Sequence, residues 1–466
     1  MPEIGSELSQ HFELEITVLS PLHVGSGREL LRGYDFVAHQ GRTWRIDEDA
    51  LLEAALGGGA FDDALMRRPA AELLRSEDFE PGSGLFRYVI EGTPHARSEG
   101  SQVVEQVKDA FDRPYLPGSS LKGALRTVLA WGMYDAEERQ PDLGRLKRRR
   151  SWAAQPLEQA LFGRDPNHDW LRALRVRDSA PLPADEHLAL QGVRIYPTAG
   201  RGGPGLDVDV EAIKRGAVFR AQLTLESYGF ESGQAARLGW RGKRRWIKQL
   251  PLLGKRHAQQ RLLIEANYFR DHNGPPGASR FYYEMIERLA GLPQDTFLVQ
   301  VGWGGGWESK TLGSGMVRQH DAQFERLVSQ YRMTKERDRR PGDPFPRSRH
   351  LALVGGRPAL PMGWVEVRVT GLEEVEVKEM KEMKEMKEPP ARPAGAAPGQ
   401  HTGRLKTFFP ERGFGFITPD EGRKDIFVHV SGLSDPSKTL REGQRLAFDV
   451  EQGRKGPRAV NVRILS

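Results

Sequence analysis

The chain of 466 residues contains no cysteine. This absence excludes disulfide bonds, thiol nucleophiles and the zinc sites that use cysteine ligands. The sequence also lacks a positively charged leader and any apolar run of roughly 18 residues, the length that a membrane-spanning helix requires. No group of histidines and carboxylates has the spacing of metal ligands. We therefore expect a cytoplasmic protein with no membrane segment, no bound metal and no cofactor.

Positive charge is concentrated in two clusters, although the net charge of +6 is modest for this length. Residues 145–150 contain five cations, and residues 241–248 contain five more around Trp246. Both clusters suit a phosphate backbone. An ordinary solvated surface explains each of them equally well, because arginine-rich surface stretches are common.

Residues 115–126 are typical of a rigid turn that leads into a helix. Pro117 and Gly118 end the preceding segment, and either Ser119 or Ser120 is placed to cap the helix. Its apolar stripe, at helical spacing, consists of Leu121, Leu125, Val128 and Leu129.

Two cations, Lys122 and Arg126, lie four residues apart on a flank of this helix. A helix N-terminus favours negative charge, so this pair predicts a phosphate clamp. The alternative is a capped amphipathic helix with two solvated charges. ATP is not implied, because Gly123 is not followed by the lysine and hydroxyl residue of a nucleotide-binding P-loop.

Two further glycine-rich segments follow alternating apolar runs that predict strands. The run at residues 12–18 leads into a predicted tight loop at 21–27, and the run at 297–301 leads into residues 302–311. Glycine lets a backbone approach another molecule closely, and the hydroxyl and ammonium groups can donate to phosphate or ribose oxygens. The candidate RNA-contacting residues in these segments are His23, Gly25, Ser26, Gly27, Gly304, Gly306, Ser309, Lys310 and Thr311. Ser119, Ser120, Lys122 and Arg126 of the segment 115–126 complete the candidate set.

The order of these segments along residues 12–312 resembles the RAMP superfamily of CRISPR-associated proteins. The nearest likeness is to the fifth Csm subunit of type III-A effector complexes. The resemblance implies an α+β body of two ferredoxin-like, RRM-type halves over residues 1–370. It also implies a subunit that caps the crRNA 3′ end and contacts other Csm subunits, above all the filament backbone subunit.

His23 raises the alternative of catalysis, because a histidine beside a glycine loop can act as general base on a ribose 2′-OH. This would make the protein a metal-independent endoribonuclease that processes crRNA. The usual role of a lone histidine at a strand end is structural, and we expect no catalytic residue. A third possibility is a free-standing RNA chaperone that carries a degenerate body.

The composition changes abruptly after residue 370. Residues 371–402 contain Lys-Glu-Met repeats and then a stretch rich in proline, alanine and glycine, which predicts a linker. Residues 403–466 are rich in predicted strands and turns. Within them, Phe414 and Phe416 lie two apart on one strand, and Phe427 and His429 repeat the arrangement on the next.

These four rings predict a platform on which the bases of single-stranded RNA stack. Residues 403–466 resemble cold-shock domains, five-stranded OB-fold barrels that bind single-stranded nucleic acid. The expected contacts include Lys406, Phe408 and Arg412 besides the four rings. Thr407 stands where the family usually has tryptophan, which predicts weaker binding. The alternative is a small barrel whose aromatic residues fill its own core.

Overall fold

The computed structural model describes residues 9–57, 68–95, 101–136, 145–197, 205–272, 274–312, 321–334, 345–371, 401–409, 414–419, 426–429, 433, 440, 443–453 and 456–465. The chain divides into two compact units, Met1–Glu374 and Val375–Ser466. Residues 372–400, which form most of the predicted linker, lie outside the described residues.

The strands of the first unit are β1 (Ser9–Val18), β2 (Gly25–Leu31), β3 (Phe36–His39), β4 (Arg42–Ile46), β5 (Phe86–Glu91), β6 (Gln102–Gln106), β7 (Leu174–Val176), β8 (Leu188–Pro197), β9 (Leu206–Ile213), β10 (Val218–Glu226), β11 (Thr296–Gln300), β12 (Ser348–Val354), β13 (Arg357–Pro361) and β14 (Trp364–Thr370). Its helices are α1 (Glu48–Leu56), α2 (Gly118–Ala136), α3 (Gln155–Phe162), α4 (Ala184–His187), α5 (Ser232–Leu238), α6 (Arg244–Lys248), α7 (Leu250–Asp271), α8 (Pro276–Gly291) and α9 (Asp321–Gln330).

Strand β1 lies at the centre of a five-stranded antiparallel sheet, in the order β11-β14-β1-β10-β7. The alternation predicted for residues 12–18 is confirmed, because the apolar side chains are buried and Glu13 and Glu15 between them are exposed. Leu14 pairs with Ala221 on one side and with Val369 on the other. The sheet thus joins the beginning of the unit to residues near its end.

Helices α2 and α7 pack against this sheet. The predicted stripe of α2 is confirmed, since all four of its side chains are at most 2% exposed. Gly254 on α7 lies against β11, where a Cβ would stand 2.3 Å from the ring of Phe297. Both helices contribute to one apolar core with the sheet, and a second core joins α7 and α8 around Phe269, Phe281 and Trp364.

The remaining strands of the unit form a larger mixed sheet. Its main order is β2-β6-β9-β8-β5-β4-β3, and β12 and β13 join it through β8. The β6–β9 and β5–β8 pairs are parallel, and the other pairs in the sheet are antiparallel. Strand β2 lies at an edge. The predicted α+β class is confirmed by these sheets and their helices.

The second unit is a closed barrel of five strands, in the order β15-β16-β17-β19-β18. The strands are β15 (His401–Phe409), β16 (Phe414–Pro419), β17 (Ile426–His429), β18 (Arg445–Gly453) and β19 (Gly456–Ile464). Its core includes Leu405, Ile417, Val428 and Phe448, each at most 1% exposed. The predicted OB-type barrel is therefore confirmed. In the part of the chain that the structure describes, no helix is long and apolar enough to span a membrane.

Candidate nucleic-acid interfaces

Two of the predicted glycine segments contact each other. The backbone N–H of Trp303 donates to the carbonyl of His23 at 2.8 Å, and that of Gly363 donates to the carbonyl of Pro21 at 2.8 Å. Gly302 has φ +79°, and a Cβ there would lie 2.4 Å from the carbonyl oxygen of His23. Glycine at position 302 thus serves a contact within the chain.

The four glycines predicted to admit RNA fall into two pairs. A Cβ on Gly25 would lie 3.2 Å from Nε2 of His23, and one on Gly304 would lie 2.6 Å from Cβ of Met362. Gly27 and Gly306 have φ +93° and +71°, and no described atom lies within 4 Å of their missing Cβ positions. Close approach of RNA remains a prediction, and Gly27 and Gly306 have the open space for it.

Residues 25–27 begin strand β2, where the sequence predicted a tight loop. That prediction is wrong for these residues, because Gly25 already pairs with Gln106 of β6. The hydroxyl of Ser26 donates to Oε2 of Glu105 at 2.8 Å and accepts the N–H of Arg28 at 3.1 Å. Any contact of Ser26 with RNA competes with these bonds.

His23 is 1% exposed, and its Nδ1–H donates to the carbonyl oxygen of Glu211 at 2.6 Å. Burial lowers the pKa of His23, although the Glu211 carbonyl and carboxylate oppose this change. A general base must reach the proton that it removes, and a buried ring does not. Among the described residues, no group of three or more histidines, aspartates and glutamates is arranged to hold a metal ion.

Beneath the His23 segment lies a buried polar network centred on Glu211. One carboxylate oxygen accepts the Tyr88 hydroxyl at 2.6 Å, and the other accepts Nζ of Lys108 at 2.6 Å and the N–H of Gln106 at 3.0 Å. The side chain of Gln106 in turn accepts the N–H of Val24 at 2.8 Å. The network ties β5, β6 and β9 to residues 23–24. Burial, with Glu211 nearby, raises the pKa of Tyr88.

The segment 302–311 uses most of its polar side chains internally. The hydroxyl of Ser309 donates to the Gly306 carbonyl at 3.3 Å, and that of Thr311 donates to the Trp307 carbonyl at 3.0 Å. Glu308 accepts from Nη1 of Arg261 on α7 at 3.1 Å, and the side chains of both are at most 7% exposed. Lys310 is exposed and remains available for a phosphate.

A carboxylate caps the start of α2. The helix begins at Gly118, whose N–H donates to Oδ1 of Asp178 at 2.7 Å. Ser119 and Ser120 lie inside the first turn, so the prediction that one of them caps the helix is wrong. Gly118 also lies close to the end of β7, since a Cβ there would lie 2.2 Å from the carbonyl oxygen of Val176.

The two cations of the predicted clamp have partners within the protein. Nζ of Lys122 donates to the carbonyls of Leu171 at 2.9 Å and Leu174 at 2.7 Å. Arg126 donates to Asp169 at 2.8 Å, and its guanidinium lies 3.7 Å from the centre of the Phe162 ring. Phosphate contact stays a prediction for both, and this geometry favours a role in holding the 169–174 segment onto α2.

In the barrel, the register places the predicted rings on facing positions. Phe414 pairs with His429, and Phe416 pairs with Phe427. Directly opposed residues of antiparallel strands lie on the same face. Phe416 and Phe427 are 36% and 37% exposed, their ring centres are 6.0 Å apart, and His429 is also exposed. The intervening Ile417 and Val428 fill the core together with Phe448, whereas Phe416, Phe427 and His429 lie on the surface of the barrel.

Other predicted barrel contacts differ in their surroundings. Phe408 is half-buried and packs against the barrel core. A Cβ on Gly415 would lie 2.4 Å from the carbonyl oxygen of Thr407, so glycine at this position allows β15 and β16 to pack closely. Lys406 is exposed at the irregularity between β15 and β16. Arg412 and the side chain of Phe414 lie outside the described residues.

The two basic clusters differ in the exposure of their neighbouring tryptophan side chains. Trp246 of the second cluster is 3% exposed and belongs to the core. Sequence reasoning missed Trp152, which follows the first cluster by two residues and is 52% exposed. The signal was available, because an aromatic residue next to a run of cations is typical of single-strand binding.

Family models match both units. The RAMP superfamily model matches residues 15–309, which is more than half of the chain, and the 'Cold-shock' DNA-binding domain model matches residues 401–465. The chain therefore belongs to the RAMP superfamily and carries a cold-shock domain in its second unit. The cold shock-like protein CspJ of Salmonella typhimurium is 60% identical over 62 residues, which are 13% of this chain and 89% of that protein. CspG of Escherichia coli K12 is 52% identical over 62 residues, with the same coverage.

Two solved structures share the fold of the larger unit. A chain of the Csm-crRNA-target RNA ternary complex of a type III-A CRISPR-Cas system matches with a TM-score of 0.54 and 23% identity, over 77% of this chain and 100% of that one. The crystal structure of T.onnurineus Csm5 matches with a TM-score of 0.55 and 22% identity, over 75% and 99%. At this identity the likeness establishes the fold.

Proposed function

We propose that the protein is a cytoplasmic, RNA-binding subunit of a type III-A (Csm) effector complex. It caps the 3′ end of the crRNA and aids crRNA maturation and assembly, and its cold-shock domain holds single-stranded RNA. The proposed partners are crRNA, single-stranded RNA and other Csm subunits, especially the filament backbone subunit. RAMP membership and the Csm5-like fold support the body's part of this proposal.

The observation that carries the RNA-binding role is the pair of exposed rings on the barrel. Phe416 and Phe427 oppose each other, with His429 on the same strand face as Phe427. Stacked bases are held without sequence-specific hydrogen bonds, so this face suits single-stranded RNA of varied sequence. The role is binding rather than catalysis, since His23 is buried and bonded to a backbone carbonyl.

The direct test replaces both rings, Phe416→Ala and Phe427→Ala, in the full chain. Each stacked base contributes about 1–3 kcal/mol, so each substitution weakens binding of single-stranded RNA by roughly 5- to 150-fold. The measurement is fluorescence anisotropy with a labelled oligouridylate. Because both rings lie on the barrel surface, we expect the thermal unfolding of the variant to match that of the parent.

Val450→Ala is the matched control, because Val450 is 36% exposed on β18, a strand outside the platform. It shortens an apolar side chain of similar fractional exposure and leaves RNA binding unchanged. Equal binding by the parent and the double variant would reject the platform as the RNA site.

The assembly role has its own test. Deletion of residues 375–466 removes the second unit and leaves the RAMP unit intact. We expect the truncated chain to co-purify with the other Csm subunits and a guide RNA of defined length. Isolation of the full chain as a lone monomer that melts RNA hairpins would instead favour the RNA chaperone, and cleavage of repeat RNA would favour the endoribonuclease.

A further inference from the structure

The first basic cluster forms an exposed cationic strip that ends in an aromatic side chain. Arg145, Lys147, Arg148, Arg149 and Arg150 are all exposed, and Trp152 is 52% exposed. Residues 145–154 include no acidic residue. Within the described part of the chain, Lys147 and the three arginines after it form no ion pair. We name residues 145–152 the Arg-Trp strip.

The strip is fixed to the body at several points. The hydroxyl of the buried Tyr331 donates to the carbonyl of Lys147 at 2.8 Å. The N–H of Trp152 donates to the carbonyl of Arg149 at 3.0 Å, which closes a short 3-10 turn over Arg150–Trp152. Helix α3 follows at Gln155 and buries Leu161 and Phe162 in the main core. The cations and the indole are thus presented by an ordered segment, which lowers the entropy cost of binding.

We propose that the Arg-Trp strip is a second site for single-stranded RNA, located on the body and separate from the barrel. The cations hold consecutive phosphates, and a base stacks on the indole of Trp152. A cationic track beside an aromatic face is the combination that binds single strands without sequence preference. The proposal extends the proposed RNA-binding function to a new surface and relies on it for the class of ligand.

An acidic protein surface is the competing ligand, and the indole argues against it. Charge pairing with carboxylates would use Lys147 and the three arginines after it, and would leave the half-exposed ring of Trp152 without a role. Single-stranded RNA would use both the cations and the indole, because its backbone carries the phosphates and its bases present flat faces for stacking. The second cluster lacks this combination, since Trp246 is buried.

The test uses the full chain with Phe416→Ala and Phe427→Ala as the parent, so that the barrel platform does not mask the strip. Binding of labelled oligouridylate is measured over a series of KCl concentrations. Trp152→Ala is expected to weaken binding by roughly 5- to 150-fold with the salt dependence unchanged, and Trp152→Phe retains most of the affinity. Arg148→Gln with Arg149→Gln reduces the slope of log K against log salt by roughly 1.4, about 0.7 for each phosphate that is no longer neutralised.

Matched controls lie elsewhere on the body. Tyr228 is 54% exposed, and Tyr228→Ala leaves binding unchanged. Arg75→Gln with Arg270→Gln removes the same net charge from side chains that are 78% and 53% exposed, and it leaves the salt slope within about 0.3 of the parent's.

Two outcomes overturn the proposal. One is equal RNA affinity of the parent and Trp152→Ala. The other is competition by poly-L-glutamate that displaces the oligouridylate from the parent and from Trp152→Ala alike, which would assign the strip to an acidic protein. Since the parent already lacks the barrel rings, failure here leaves the barrel proposal standing, and failure of the barrel test leaves this one standing.

Discussion

The RAMP body and the cold-shock domain use their motif residues differently. In the body, Lys122 and Arg126 bind two backbone carbonyls and a carboxylate of the same chain. In the barrel, Phe416 and Phe427 remain exposed after the strands have paired. Substitutions at the motif residues of the body are therefore expected mainly to lower stability, whereas substitutions at those of the barrel are expected mainly to weaken RNA binding.

The largest expected effect comes from the segment 302–311. Glu308→Gln removes one charge from a buried cluster in which Arg261 also pairs with Glu265, and Arg349 pairs with Glu265. An uncompensated buried charge costs about 3–5 kcal/mol, so the free energy of unfolding of the body falls by that amount. Urea denaturation of the full chain measures it.

The double variant Arg261→Met with Glu308→Leu leaves the Arg349–Glu265 pair balanced, and it should recover part of the loss. Glu77→Gln is the surface control, because Glu77 and its partner Arg75 are both more than three-quarters exposed. If Glu308→Gln unfolded at the parent's urea concentration, the segment would not be held by this cluster.

The start of α2 offers a matched glycine pair. Gly118→Ala would place a Cβ 2.2 Å from the Val176 carbonyl, whereas Gly123→Ala on the same helix meets no described atom within 4 Å. We expect the first to destabilise the protein by about 2–3 kcal/mol and the second to stabilise it by about 0.5–1 kcal/mol. Thermal unfolding would contradict the close packing of this turn if both variants behaved alike.

A comparison of Lys122 with Lys310 distinguishes a structural role within the body from RNA binding. Lys122→Met removes hydrogen bonds to two carbonyls from a half-buried ammonium, so we expect a loss of about 1–2 kcal/mol in unfolding free energy. Lys310→Met changes an exposed side chain and leaves stability within about 0.5 kcal/mol.

The affinity of both variants for single-stranded RNA, measured in the background that lacks the barrel rings, completes this comparison. A loss of affinity in Lys310→Met alone assigns phosphate contact to Lys310. If Lys122→Met kept full stability and lost RNA affinity, the result would support the predicted phosphate contact by Lys122. It would also contradict the contrast between body and barrel.

The last prediction is a dependence of stability on pH, which is small near neutrality and grows as the pH falls. Burial, with Arg261 nearby, lowers the pKa of His257 to about 3. The unfolded chain takes up a proton at this histidine near pH 6.5, and the folded chain does not. The contribution of His257 to the free energy of unfolding is therefore fully present above pH 6.5. It falls by up to about 1.4 kcal/mol for each pH unit between 6.5 and 3. His257→Asn should show a shallower loss in urea titrations at pH 7 and pH 5, and an equal slope in both proteins would contradict this.

Local patterns predicted the fold more fully than the site. The alternation in residues 12–18 and the stripe of α2 state which side of each element is buried, and the structure agrees. Partners distant in the chain decided the rest. Asp178 replaces the expected serine cap from 60 residues away, and Glu211 fixes His23 from 188 residues away. No local spacing reports such contacts.

Strand alternation is a local property, so it was enough to predict the buried face of β1 and the facing rings of the barrel. The α+β body and the five-stranded barrel were predicted from the resemblance to two families. The sequence also showed where the cations are concentrated. Which of these cations remain exposed could be read from the fold alone, since burial depends on the elements that pack against each side chain. The segment 169–174 packs against α2 and accepts both hydrogen bonds of Lys122. Tyr331 bonds only to the backbone of the Arg-Trp strip, whose cations stay exposed, as does Lys310.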